Sequence, residues 1–252
     1  MELEICCGDI ESVLAAKKGG AKRIELCSSL SEGGVTPSYA LIEEASKTGF
    51  DKINVLIRPR GGDFLYSPKE VKIMSEDIRQ AVKAGATGIV IGALTSDGEI
   101  DKKSMEILMD SVKQGSKEVG RDVSITFHRA FDMSRDPLKS LEDIISLGCD
   151  TLLTSGMSST ALSGTEVIKE LVEQAGDRIT ILAGSGINPS NVLEIIEKTG
   201  VRAIHATAKE KKKSGMIFRR ESLTMGSPDS DEYMTVETSE EIVRNLLNLI
   251  NK

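Results

Sequence analysis

Near its start the chain carries the pattern Glu-x-Cys twice, as Glu4-Ile5-Cys6 and Glu25-Leu26-Cys27. Residues two apart on a strand share a face, so each carboxylate stands beside a thiol. Arg58 follows at the same parity as Asn54 and Leu56, at the end of another apolar run. The chain has two histidines, and both close such runs: His128 after Thr126, His205 after Ala203 and before Thr207. In the sixth run the residues assigned to this face are Leu152 and Thr154. Carboxylate and imidazole side by side are the groups of acid/base chemistry, with Glu25 and His128 as the pair and an imidazole pKa normally near 6.5. A buried guanidinium keeps its proton and needs an anion, which for Arg58 can be a ligand or simply Glu4 or Glu25. The plain alternatives are equally concrete. A strand cysteine is usually a small buried hydrophobe, and a charged cluster can be structural.

Two loops add donors. Ile57-Arg-Pro-Arg-Gly-Gly-Asp-Phe64 brings Arg60 beside Arg58, and arginine favours bidentate contact with carboxylate or phosphate. Gly184-Ser185-Gly186-Ile187-Asn188-Pro189 is a glycine turn opening a helix, where backbone N–H groups face outward to an anion. Gly184, Ser185, Gly186 and Asn188 after the seventh run, with His205 in the segment that ends the eighth, form a candidate anion site; its alternative is an ordinary helix cap.

Elements must exist to position these groups. Apolar runs suited to buried parallel strands recur at 3–7, 23–27, 53–57, 88–94, 124–127, 151–154, 179–183 and 203–207. Helical patterns lie at 10–18, 37–47, 68–84, 102–119, 137–147, 165–175, 189–198 and 239–250. A glycine follows nearly every helix, and Thr36-Pro37, Ser67-Pro68, Asp136-Pro137 and Asn188-Pro189 mark helix starts. Eight strands alternating with eight helices predict a single (β/α)8 TIM-type barrel over residues 1–252, its chemistry at the carboxyl ends of the strands. Residues 209–237 are expected to be an irregular, solvated loop and 239–250 a terminal helix. An open doubly wound sheet would need Gly-x-Gly-x-x-Gly after the first strand, where Cys7-Gly8-Asp9 stands instead.

Composition narrows the partners. The 252 residues carry a net charge of −7, which opposes a nucleic-acid groove or an anionic membrane as partner. No apolar run approaches the roughly 18 residues of a membrane span, and the acidic N-terminus leads straight into a strand, so no signal peptide is expected. Four cysteines without a Cys-x-x-Cys predict reduced thiols and a cytoplasmic location. No lysine ends a predicted strand, which opposes a Schiff-base aldolase. Two histidines are too few for a histidine-rich hydrolase centre.

The combination resembles the CutC family, named for copper homeostasis. The matching stretches are Glu4-Ile-Cys6, Gly20-Ala-Lys-Arg-Ile-Glu-Leu-Cys27, Gly33-Gly-Val-Thr-Pro-Ser38, Ile57-Arg-Pro-Arg-Gly-Gly-Asp-Phe64, Leu94-Thr-Ser-Asp-Gly-Glu-Ile-Asp101, Phe127-His-Arg-Ala-Phe-Asp132 and Leu153-Thr-Ser-Gly156. The resemblance implies a TIM-type barrel, a cytoplasmic homodimer or higher homo-oligomer, and Cu(I) ligands at Cys6 and Cys27. Soft Cu(I) prefers such thiolate donors. Two function classes therefore stand side by side: copper homeostasis by Cu(I) binding, and an enzyme acting on a small anionic, for example phosphorylated, metabolite. Glu, Arg and His beside the thiols discriminate them, since a two-thiol copper site has no need of them.

Overall fold

Eight parallel strands close into one barrel in sequence order, with β1 returning to β8. The computed structural model describes residues 1–220, 222–223, 225 and 231–251. The strands are β1 (Glu2–Cys7), β2 (Arg23–Leu26), β3 (Lys52–Leu56), β4 (Gly88–Ile91), β5 (Ser124–Phe127), β6 (Thr151–Thr154), β7 (Thr180–Ala183) and β8 (Ala203–Ala206). Each of the first seven is followed by a helix: α1 (Ile10–Gly19), α2 (Tyr39–Ser46), α3 (Pro68–Ala84), α4 (Lys102–Val119), α5 (Pro137–Leu147), α6 (Thr165–Ala175) and α7 (Val192–Thr199). The last helix, α8 (Glu240–Ile250), packs against α1 and α7 and completes the outer ring.

Local chemistry sets the boundaries. Ser67 and Glu70 form a reciprocal capping box at the start of α3, with Pro68 at the first helical position, and Asp136-Pro137 starts α5 with the Asp136 side chain as cap. Gly85 ends α3 at φ 115° hard against Ser46, where a Cβ would come within 2.5 Å. Two expected starts are displaced. Helix α2 begins at Tyr39, because Ser38 and not Thr36 caps it by accepting from the Leu41 N–H. Helix α7 begins at Val192: the Asn188 side chain accepts from Ser190 and the Asn191 side chain from Asn188, making a turn of their own that delays the helix.

The barrel has two apolar compartments. Ile5, Cys7, Ile24, Leu26, Val55, Ile89 and Phe127 point outward and pack under the helices in the large core. Inside, Cys6, Cys27, Leu56 and Val90 form one small cluster, and Leu153, Leu182 and Ala203 another. The inner residue on β6 is therefore Leu153; Leu152, expected inside with Thr154, belongs to the outer core. A strand buried on both faces has no polar alternation to reveal its parity.

The two ends of the expected loop 209–237 form strands, while its residues 221, 224 and 226–230 lie outside the described residues. Strands β9 (Lys209–Lys213) and β10 (Met234–Thr238) pair antiparallel, Lys211 opposite Val236, and Lys212 reaches Glu237 at 3.0 Å. Backbone pairing, with β10 tied to Thr207 through the Thr238 hydroxyl, overrides the poor strand propensity of Lys-Glu-Lys-Lys-Lys.

Candidate functional site

Register brings the Glu-x-Cys repeats together. Cys6 on β1 is paired in register with Glu25 on β2, so their side chains meet inside the barrel. The Cys6 thiol donates to Glu25 Oε2 at 3.2 Å, and Cys6 Sγ lies 3.7 Å from Cys27 Sγ. Across the other seam, Glu4 is paired with His205 on β8. His205 Nδ1 donates to Glu4 Oε1 at 2.8 Å; Glu4 Oε2 accepts from Arg23 Nε at 2.6 Å and Asn54 Nδ2 at 2.5 Å. Arg23 continues to Glu2 at 2.9 Å. His205 Nε2 stands 3.8 Å from Glu25 Oε2, extending the chain of buried charges to the second Glu-x-Cys motif.

Burial and partners pull these groups apart. Burial alone would raise the Glu4 carboxyl, but the His205 hydrogen bond and the Arg23 charge outweigh it and hold it at about 2. Glu25 lacks such donors, and burial raises it. Burial would lower His205; the Glu25 charge and the Glu4 hydrogen bond reverse that and raise it. The Cys6 thiol is pushed well up by its contact with Cys27, by burial and by the Glu25 charge. Cys7 points to the outer core and Cys149 lies at the opposite pole; burial raises both, Cys149 to about 12.

A cavity of about 560 Å³ opens in front of this cluster. Its floor carries Cys6, Glu25 and His205; a second wall is Arg58, Phe64 and His128; the rim includes Ser185–Pro189 and Thr207–Lys209. Arg58 does not pair with Glu4 or Glu25. Its Nη1 donates to the carbonyls of Glu32 (2.9 Å) and Gly34 (2.7 Å), its Nη2 to Gly62 (2.7 Å), and its guanidinium covers the Phe64 ring at 5.0 Å. His128 meets the Phe64 ring at a tilt of 47°, ring centres 5.1 Å apart, and its Nδ1 accepts from the Ala130 N–H at 3.1 Å. Burial and the nearby Arg58 charge lower its pKa to about 3, so it is neutral at any ordinary pH. Its ring occupies space vacated by Gly92, where a Cβ would lie 2.7 Å away.

The remaining candidates divide. Glu25 contacts Cys6 and His205, so the pairing with His128 expected from the sequence is not formed. Arg60 stays outside, bound to Glu70 at 2.7 Å, Asp63 at 3.1 Å and nearby carbonyls, because α3 offers it a carboxylate before the cavity does. Gly184 packs against Leu153 and His205. Ser185, Gly186 and Asn188 do reach the rim; Ser185 has φ 81° and donates to the Ser159 carbonyl, while Asn188 Nδ2 donates to the Gly186 carbonyl. Asp132 was not singled out, yet it is a hub. It accepts from Arg129 Nε, the Thr154 and Ser155 hydroxyls and the N–H groups of Ser155 and Met157. Its signal was the motif itself, in which a carboxylate stands three residues after an arginine.

The donor set suits a soft metal ion. Cys6, Cys27 and Glu25 offer ligand atoms within 4.8 Å of one another, as do Glu4, Glu25 and His205. At a metal–sulfur distance of about 2.3 Å, one ion can join sulfurs up to about 4.6 Å apart, and the thiol separation of 3.7 Å falls inside that reach.

Comparison with known proteins points to one family. The model of the CutC family matches residues 1–210. A human protein named copper homeostasis protein cutC homolog is 43% identical over 250 residues, covering 99% of this chain and 89% of its own. A family protein CutC of Bacteroides fragilis is 48% identical over 224 residues, 88% of this chain and 86% of its own. The crystal structure of CutC from Streptococcus agalactiae superposes with a TM-score of 0.75 at 34% identity, over 82% of this chain and 98% of the other. The chain belongs to the CutC family.

Proposed function

We propose that the protein takes part in copper homeostasis by binding Cu(I) between Cys6 and Cys27. One observation carries this reading: two free, buried thiols in contact at 3.7 Å, on neighbouring strands. Thiolates are the ligands soft Cu(I) prefers, and Glu25 stands beside them as a third donor and a proton acceptor for the displaced thiol proton. The names of its relatives support the same reading. Free cysteines accord with a reducing cytoplasm, and no helix among the described residues is long and apolar enough to cross a membrane. The working form in this reading is a homo-oligomer. The test is competition for Cu(I) against a chromophoric chelator. Cys6→Ser with Cys27→Ser is expected to weaken affinity by more than about a hundredfold, beyond what outer-shell changes cost. Cys7→Ser with Cys149→Ser is expected to bind as wild type. Equal affinity in wild type and the Cys6/Cys27 variant sinks the proposal.

A second reading, an enzyme using Glu25 as acid/base on a small anionic metabolite, is favoured by the cavity. About 560 Å³ is far more than a metal ion occupies and suits an organic ligand. Burial raises the Glu25 carboxyl above its ordinary value, the direction that general acid/base work requires of a carboxyl. A thermal-shift screen of carboxylated and phosphorylated metabolites tests it. A ligand at a hundred times its dissociation constant stabilises the fold by about 2.7 kcal/mol; a broad library without any hit ends this reading.

A further inference from the structure

We infer that the wall formed by Arg58, Phe64 and His128 is a carboxylate-binding subsite, in which the ligand's two oxygens accept from His128 Nε2–H and Arg58 Nε–H. This rests on the second reading above and names the ligand group that reading leaves open.

The argument starts from a tautomer. His128 Nδ1 accepts from the Ala130 backbone N–H, so the one proton of a neutral imidazole sits on Nε2. That N–H is buried, in a residue 4% exposed, and finds no partner among the described residues. A buried donor left unsatisfied loses its water hydrogen bond with nothing in return. The neighbouring Arg58 repeats the anomaly: three carbonyls satisfy its Nη atoms, yet its Nε is buried without a partner. Both residues line the cavity, and Phe64 lies between them, in contact with each. Two orphan donors on one wall call for two acceptors: the Tyr66 hydroxyl, itself buried without a partner, lies beside Arg58, and a ligand in the cavity can supply oxygens to both donors.

Charge selects the acceptor. Arg58 is a buried cation that no carboxylate of the described residues pairs with; its protein partners are neutral carbonyls. One missing negative charge matches a carboxylate. A phosphate dianion would bring a second charge, and His128, fixed as a neutral donor, has none to offset it. His128 is then a binding residue and not the proton-transfer base that its place in the sequence suggests; the acid/base role stays with Glu25 on the facing wall.

Histidine side-chain NMR tests this directly, because the chain has two histidines and His205 serves as the internal control. In wild-type protein, long-range proton–nitrogen spectra should show His128 as the Nε2–H tautomer. Titration with acetate and with succinate at constant ionic strength should move the His128 Nε2–H resonance saturably, while inorganic phosphate leaves it in place. His128→Phe should abolish the thermal stabilisation by the same carboxylates. An Nδ1–H tautomer, or a resonance that neither carboxylate moves, overturns the inference, as does an equal response to phosphate. The wild-type spectra decide the matter even if His128→Phe fails to fold. The two readings also fail separately. If metabolites stabilise the protein while His128 stays silent, the enzyme reading stands and the subsite is elsewhere. If nothing stabilises it, both are withdrawn.

Discussion

Replacing Glu4 by glutamine is expected to lower the unfolding free energy by about 3–5 kcal/mol, the usual result of removing one partner from a buried ion pair. Glu4 is 1% exposed and answers three donors, on His205, Arg23 and Asn54. The amide keeps the shape but removes the charge that faces Arg23 and His205. The effect should depend on pH in a defined direction. An ordinary glutamate titrates near 4.5 and the folded protein holds Glu4 at about 2. Its contribution, about 3 kcal/mol from that difference, is complete above pH 4.5 and lost as pH falls through about 2. Glu25 acts in the opposite sense: raised by burial, it takes up its proton more readily in the folded state and favours the fold as pH falls. Denaturant unfolding of wild type and Glu4→Gln from pH 7 to 2 separates the two, because the gap between the proteins should close as Glu4 protonates. A gap that stays constant to pH 2, or a loss under about 1 kcal/mol at pH 7, would show that Glu4 is not the electrostatic centre of the cluster.

Asp132→Ala should cost a comparable amount, about 3–5 kcal/mol, by a different route. The Asp132 carboxylate, its side chain 6% exposed, organises the turn after β6. Removing it leaves the amides of Ser155 and Met157 and the Thr154 hydroxyl without their acceptor, and Thr154 and Ser155 have no solvent access to replace it. Arg129, a cavity-lining residue, loses its anchor as well. Thermal unfolding measures the stability, and Asp132→Asn, which keeps part of the acceptor set, should fall between. A wild-type melting temperature in Asp132→Ala would mean that water or a neighbour takes over the acceptor role.

These two residues also show what the sequence makes legible. Glu4, Cys6, Glu25 and Cys27 could be placed together in advance, because strand parity is geometric and the two motifs are copies of each other. The barrel was legible for a similar reason: eight apolar runs punctuated by glycines leave few alternatives. Parity failed on β6, where Thr-Leu-Leu-Thr is buried on both faces and carries no alternation. Partner choice failed more generally. For Arg58 the sequence leaves open a ligand anion or Glu4 or Glu25; neither glutamate reaches it, and its Nη atoms take three carbonyls from loops that approach it only in three dimensions. His128 is a proton-transfer candidate from its position at a strand end, but burial and the Arg58 charge keep it neutral, and the Ala130 amide fixes its tautomer. Space is equally invisible in a sequence. Gly88 and Gly92 flank Val90 on the inner side of β4 and just beyond it, and their missing side chains make room for Asn54 to reach Glu4 and for the His128 ring.

The charged cluster straddles the seam where β1 meets β8. Cys6 and Cys27 are 21 residues apart in the chain, whereas Glu4 and His205 are 201 apart. Synthesis proceeds from the N-terminus, so both thiols leave the ribosome long before His205 is made. The thiol contact needs only the first two strands; its enclosure needs the last. Loop closure favours the short-range pair, and the long-range pair waits for nearly the whole chain. The cluster therefore ties the two ends of the barrel together: the thiol contact spans two neighbouring strands, and the chamber around it is sealed only where β8 docks against β1.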